Sequence, residues 1–261
     1  MNRKNKPRSK RQGLTLVELL VVLTILIAVA SIIIPILPDT NQLSNSSSGS
    51  ANMREVVKVV ETFRTETGAY PNSWDSLIDA GGDVLPTGTD AGATDDPDLD
   101  ELDDLTPSTA NETIIDNALL NAGIIESLQH TDFADTTVNQ TFDGITDPEV
   151  NELPATIVVL TDDGEDRLGL TASQVNGGSG EVVAYAAFGL GQNNSMVGRT
   201  MADAPVKFLR GGENPTTQYA RWVVIFTIFD DETVRLATVA GLEDSQLRGV
   251  NYHLDGFYES F

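Results

Sequence analysis

The chain has 261 residues and no cysteine, so disulfides, thiolate metal sites and cysteine nucleophiles are excluded. Its formal charge of -23, from 16 Lys and Arg against 39 Asp and Glu, does not suit binding to phosphate backbones, and no nucleic-acid partner is expected. Roughly 210 residues beyond the apolar amino-terminal segment and its linker are enough for one sizeable core.

Six basic residues, Arg3, Lys4, Lys6, Arg8, Lys10 and Arg11, precede Gly13. An apolar run then extends from Leu14 to Leu37 with a single charge, Glu18. As a helix rising 1.5 Å per residue, this run is roughly 36 Å long, enough to cross a hydrocarbon core of about 30 Å with some tilt. The basic flank keeps the amino end in the cytoplasm and sends the remainder outside. Two other readings fit the same segment. Ala28-Val-Ala30 before Ser31 matches the small-residue pattern of a secretory cleavage site, which would make residues 1–30 a discarded signal peptide. An uncut signal anchor is the other. Neither explains Glu18, because a carboxylate costs about 2.5–3.5 kcal/mol at the centre of an inserted helix.

Gly13-Leu-Thr-Leu-Val-Glu18 resembles the prepilin signature of type IV pilins and type II secretion pseudopilins. The resemblance rests on Gly13 at the cut, Thr15, Leu16, Val17, Glu18, the run Leu19 to Leu23, and Pro35 at a helix-bending position. Leu14 stands where phenylalanine is usual. The resemblance implies cleavage between Gly13 and Leu14 by the prepilin peptidase and methylation of the new terminus. It also implies that Glu18 serves assembly by neutralising the terminal amine of an adjacent subunit. The implied partners are other pilin or pseudopilin subunits, an inner-membrane assembly platform and membrane lipid. The implied location is a single pass through the cytoplasmic membrane, with the carboxyl-terminal domain outside and a filament after assembly. The expected organisation is a basic leader at 1–13, a transmembrane helix at 14–37, a Ser-rich linker at 38–52 and an extracytoplasmic globular domain at 53–261. Loss of the leader leaves 10 basic against 39 acidic residues, a charge of about -29.

Asp39 to Gly49 is poor in helix formers and reads as flexible, with Pro35 and Pro38 before it. Asn52 and Glu55 have capping-box spacing, and Met53, Val56, Val57, Val60 and Phe63 share one face of a helix expected over 53–67. Glu55 with Lys58 and Glu61 with Arg64 are possible surface pairs, and Gly68 and Pro71 end the pattern. Phe63-Arg-Thr-Glu-Thr-Gly-Ala-Tyr-Pro71 resembles the helix end of major pseudopilins, in which Ser73 would cap a short helix through Leu77 and Ile78. Nine acidic residues between Asp83 and Asp104 mark a solvated insertion. A further helix is expected over 112–128 from Ile114, Ile115, Leu119, Ile124 and Leu128. Strands follow at 156–160, 181–188, 206–209, 219–229 and 234–239, with both faces of Arg221 to Phe229 apolar and a turn at 230–233. Helix first and sheet later is an α+β order. The resemblance gives the same picture, an amino-terminal helix laid on a small antiparallel sheet.

Little in the outer part points to catalysis. His130 and His253 lie in unremarkable surroundings, nothing resembles a nucleophile elbow, and Gly189-Leu-Gly191 is a structural turn rather than a nucleotide loop. No catalytic residue and no enzyme activity are expected. Thr161-Asp-Asp-Gly-Glu-Asp166 fails the EF-hand spacing and reads as a hairpin-like turn. Major pseudopilins hold calcium near the carboxyl-terminal loop, so calcium is the one cofactor considered, although their ligand motif has no residue-by-residue match here. Asp162, Asp163, Asp166, Asp230, Asp231, Glu243, Asp244 and Asp255 are its weak candidates. The reading is a pseudopilin-like structural subunit of a type II secretion or pilus-like filament. The alternatives are a minor pilin of an adhesion or DNA-uptake pilus, and a membrane-anchored binding module or enzyme.

Overall fold

The computed structural model describes residues 16–33, 37–79, 84, 102–104, 109–130, 149–152, 157–170, 180–207, 219, 221–243, 246–252 and 254. The chain divides into two compact units, 1–44 and 45–261.

In the first unit, α1 runs from Leu16 to Ile33. Its 18 residues correspond to about 27 Å. Among the described residues no helix is long and apolar enough to cross a membrane. Residues 14, 15 and 34–36 of the span expected over 14–37 lie outside the described residues.

The second helix, α2, runs from Leu37 to Thr67 and corrects the expected linker: residues 38–52 are helical, and Asn52 is an interior position rather than a cap. Hydroxyls in this helix bond back to the preceding turn, as Ser50 does to the Ser47 carbonyl at 3.1 Å. That lets a residue of weak helix propensity satisfy itself without leaving the helix. From Met53 onward the expected face is the buried one: Met53, Val56, Val59, Val60 and Phe63 enter the core, with Val57 half-buried. Gly68, at a φ of 80°, ends the helix by donating to the Arg64 carbonyl at 2.8 Å.

The chain then enters a strand rather than a Ser73-capped helix. Ser73 has a φ of 59°, outside the helical range, and β1 spans Trp74–Asp79. The strands β2 (Leu102–Asp104), β3 (Glu126–His130) and β4 (Glu149–Glu152) were not foreseen. The helix expected over 112–128 is α3, Thr109–Ala122. Gly123 stops it at a φ of 92°, so Leu128 belongs to β3 instead. The later strands are β5 (Val158–Leu160), β6 (Val182–Gly189), β7 (Trp222–Phe229), β8 (Val234–Glu243) and β9 (Gln246–Gly249). Between β5 and β6 lies the short helix α4, Asp162–Leu168. Val206 makes only an isolated bridge to Arg221, and 208–210 lie outside the described residues.

These strands form one sheet in the order β4-β3-β1-β6-β7-β8-β9, with β2 and β5 attached to β6 as a branch. All pairings are antiparallel except β1 with β3. The protein is thus α+β with a mostly antiparallel sheet. Every residue of β7 is buried, and its two alternating faces feed separate cores. Trp222, Val224, Phe226 and Ile228 meet α2 and α3 on one side, while Val223 and Ile225 join Leu77, Val158, Tyr185 and Leu242 on the other. The continuous apolar run of β7 is explained by this double cover.

Candidate functional site

The twelve residues of α1 from Leu16 to Ile27 are all exposed, and the apolar ones point to every side of the helix. Exposure runs from 81% at Leu16 to 47% at Val21. A helix apolar all round is stable only where lipid or other protein covers it. Glu18 lies in the first turn of this helix, where its negative charge complements the positive end of the helix dipole. It is the only acidic residue in α1. Gly13 and Leu14, the expected cleavage junction, lie outside the described residues. The arrangement therefore combines an apolar surface that requires a cover with one carboxylate a single turn from where cleavage would create an amine.

The acidic candidates of the second unit are used locally. The segment read as a hairpin-like turn is the start of α4: the Thr161 side chain accepts from the Gly164 amide at 3.3 Å. Asp162, Asp163 and Glu165 fill the first turn of that helix, where acidic residues are stabilised. Burial, with Asp162 and Asp166 beside it, pushes the Glu165 carboxyl upward. Asp230 and Asp231 belong to the β7–β8 turn instead. The Asp230 carboxylate accepts from the Glu181 amide at 3.0 Å, and that of Asp231 accepts from the Thr233 amide at 3.1 Å. The side chain of Glu243, and Asp244 and Asp255 altogether, lie outside the described residues. Among the described residues, no three His, Asp or Glu side chains are grouped so as to hold a metal ion.

A polar node unseen in the sequence lies inside the sheet. Asp75 on β1 is 1% exposed and accepts a hydrogen bond from the Tyr219 hydroxyl at 2.7 Å, across 144 residues of sequence. Arg221, 4% exposed, donates to the Ala204 carbonyl at 3.2 Å. Burial pushes Asp75 up to about 6, against the lowering effects of the Tyr219 hydrogen bond and the Arg221 charge. Burial and the adjacent carboxylate push Tyr219 well up. Gly189 and Gly191 carry the only sequence trace of this node: a side chain at Gly191 would overlap the Asp75 carboxylate, and one at Gly189 the Tyr219 hydroxyl.

No curated protein and no solved structure matches the chain. The family model of the prokaryotic N-terminal methylation motif matches residues 8–34, which contain Gly13, Leu14, Glu18 and most of α1. That motif supports a type IV pilin-like prepilin signal, processed by the prepilin peptidase and carried by a protein that assembles with other pilin-type subunits.

Proposed function

We propose that the chain is a pseudopilin-like structural subunit, without enzymatic activity, that is anchored by residues 14–37 in the cytoplasmic membrane and enters a short filament of the type II secretion kind. The observation that carries this reading is the coincidence of the methylation motif at 8–34 with a helix exposed on all its apolar sides and bearing one carboxylate in its first turn. After cleavage, Leu14 carries a free amine. Taking that charge into an apolar filament core is costly without a counter-charge, and Glu18 supplies one. A helix laid along a mostly antiparallel sheet is the architecture expected of such a subunit. A charge of -23 on the whole chain disfavours the DNA-uptake alternative.

Mass analysis of the membrane fraction tests the reading. The mature chain should begin at Leu14, Gly13→Val should remain a full-length precursor, and Glu18→Gln should be cleaved and membrane-bound yet absent from filaments. A terminus at Ser31 would refute both the anchor and the subunit role. Normal filament entry of Glu18→Gln would leave the anchor standing and remove the assembly charge.

A further inference from the structure

Asp75 occupies an irregular point of the sheet. Strand β6 pairs with β5 at Ala186 and Ala187, then changes partner and pairs with β1 at a single position, Asp75 opposite Gly189. The β1–β3 register shifts between Asp75 and Asp79, and Leu77 between them is fully buried at a φ of 60°. For a branched aliphatic side chain that left-handed conformation is strained. The carboxylate sits in a hollow left by Gly191, and Gly189 leaves the space for the Tyr219 hydroxyl and the Leu77 side chain. One hydroxyl from the far end of the chain thus closes over one buried carboxylate where the sheet branches.

We propose that the buried Asp75 carboxyl is a pH-sensitive latch at the β1–β6 junction: the junction holds while the carboxyl is protonated and loosens when it is ionised, because the Tyr219 hydroxyl and the Arg221 charge do not offset the hydration that the carboxylate has lost. Ionisation places a charge on a carboxyl that is 1% exposed to solvent. Among the described residues, the charged and titratable groups on the packed elements are few. Tyr219 and Arg221 act on Asp75 directly. Strand β3 contributes Glu126, which accepts from the Ser73 hydroxyl at 2.6 Å, and His130 opposite Asp79. Strand β6 contributes Tyr185, four positions from Gly189, and β5 contributes no titratable residue. Burial holds Asp75 near 6 against 3.8 for an exposed aspartate, so its folded form is raised above its unfolded one. Its contribution is then fully present below about pH 4 and is lost as pH rises through about 6.

Hydrogen exchange of the full chain in detergent micelles, followed by mass spectrometry and corrected for intrinsic rates, tests the latch. Peptides covering 74–79 and 182–191 should lose about tenfold in protection between pH 5 and 7.5. Asp75→Asn, neutral at both ends, should abolish that step. Tyr219→Phe removes a donor that favours the ionised form and should move the midpoint upward. Equal pH responses in wild type and Asp75→Asn would overturn the proposal. Should Asp75→Asn not fold, a wild-type midpoint below pH 5, or a Tyr219→Phe midpoint that does not rise, would overturn it alone.

Discussion

The two carboxylates Glu18 and Asp75 both stand among apolar side chains, but they belong to opposite kinds of surface. Around Glu18 the apolar residues of α1 face outward, with Val17 69% and Leu19 62% exposed. Around Asp75 the sheet is closed on both sides, and the hydroxyl, the cation and the glycine hollow all come from the same chain. The second unit completes itself, with strands of distant sequence brought onto one carboxylate. Helix α1 buries no residue from Leu16 to Ile27, so its apolar surface gains free energy only from a partner or from lipid. The contrast separates what stabilises the domain from what recruits it into an assembly.

The largest test of this separation lies at Phe226. It is fully buried, and its ring centroid lies 5.0 Å from that of Tyr70, 5.6 Å from Trp74 and 6.1 Å from Phe188. Phe226→Ala should cost about 3–5 kcal/mol, a melting shift of roughly 6–20 °C for a unit of this size, while processing at Gly13 stays unchanged. Loss of processing in a variant whose domain still folds would break the separation. A smaller test sharpens the node. Gly191→Ala forces a methyl onto the Asp75 carboxylate and should cost about 1–3 kcal/mol by thermal denaturation. In an Asp75→Ala background the same change should cost clearly less, because the group it meets is gone.

How much of this was legible depended on whether a pattern repeats locally. Helix α2 from Met53, and strands β6, β7 and β8, announced themselves through periodicity, and Gly68 through its place after the last periodic residue. The helical state of 38–52 was hidden because serine propensity argues against it, and the hydroxyl bonds that satisfy Ser50 follow from the helix rather than from composition. Ile124 and Leu128 continued the spacing of α3 by coincidence across Gly123, so one helix was expected where a helix and a strand occur. The acids of α4 looked like a turn because Gly164 sits among them, whereas Thr161 caps a helix there. Asp75 and Tyr219 carried no signal, since nothing local relates residues 144 apart. Gly189 and Gly191 were read as a turn, and the space they provide for that pair emerges only in the folded sheet.

The smallest expected effects come from two ion pairs of identical spacing on α2, and their difference extends the comparison to single side chains. Lys58 meets Glu55 at 3.7 Å with both side chains mostly exposed, and Arg64 meets Glu61 at 3.8 Å. Solvent screening limits such pairs to about 0.2–0.5 kcal/mol, so Lys58→Ala should move the melting temperature by no more than about 2 °C. Arg64 also turns inward. It donates to the Tyr70 hydroxyl at 2.7 Å, and its guanidinium lies 4.6 Å from the centre of that ring. The same hydroxyl accepts from the Leu236 amide on β8 at 3.0 Å, so Tyr70 links the end of α2 to the sheet. Arg64→Ala should therefore cost about 1–2 kcal/mol, several times the Lys58→Ala effect. In a Tyr70→Phe background that excess should shrink, because the hydroxyl that Arg64 reaches is absent. Equal shifts for Lys58→Ala and Arg64→Ala would mean that the contact with Tyr70 adds nothing, and that both arginine and lysine serve only the solvated face of the helix.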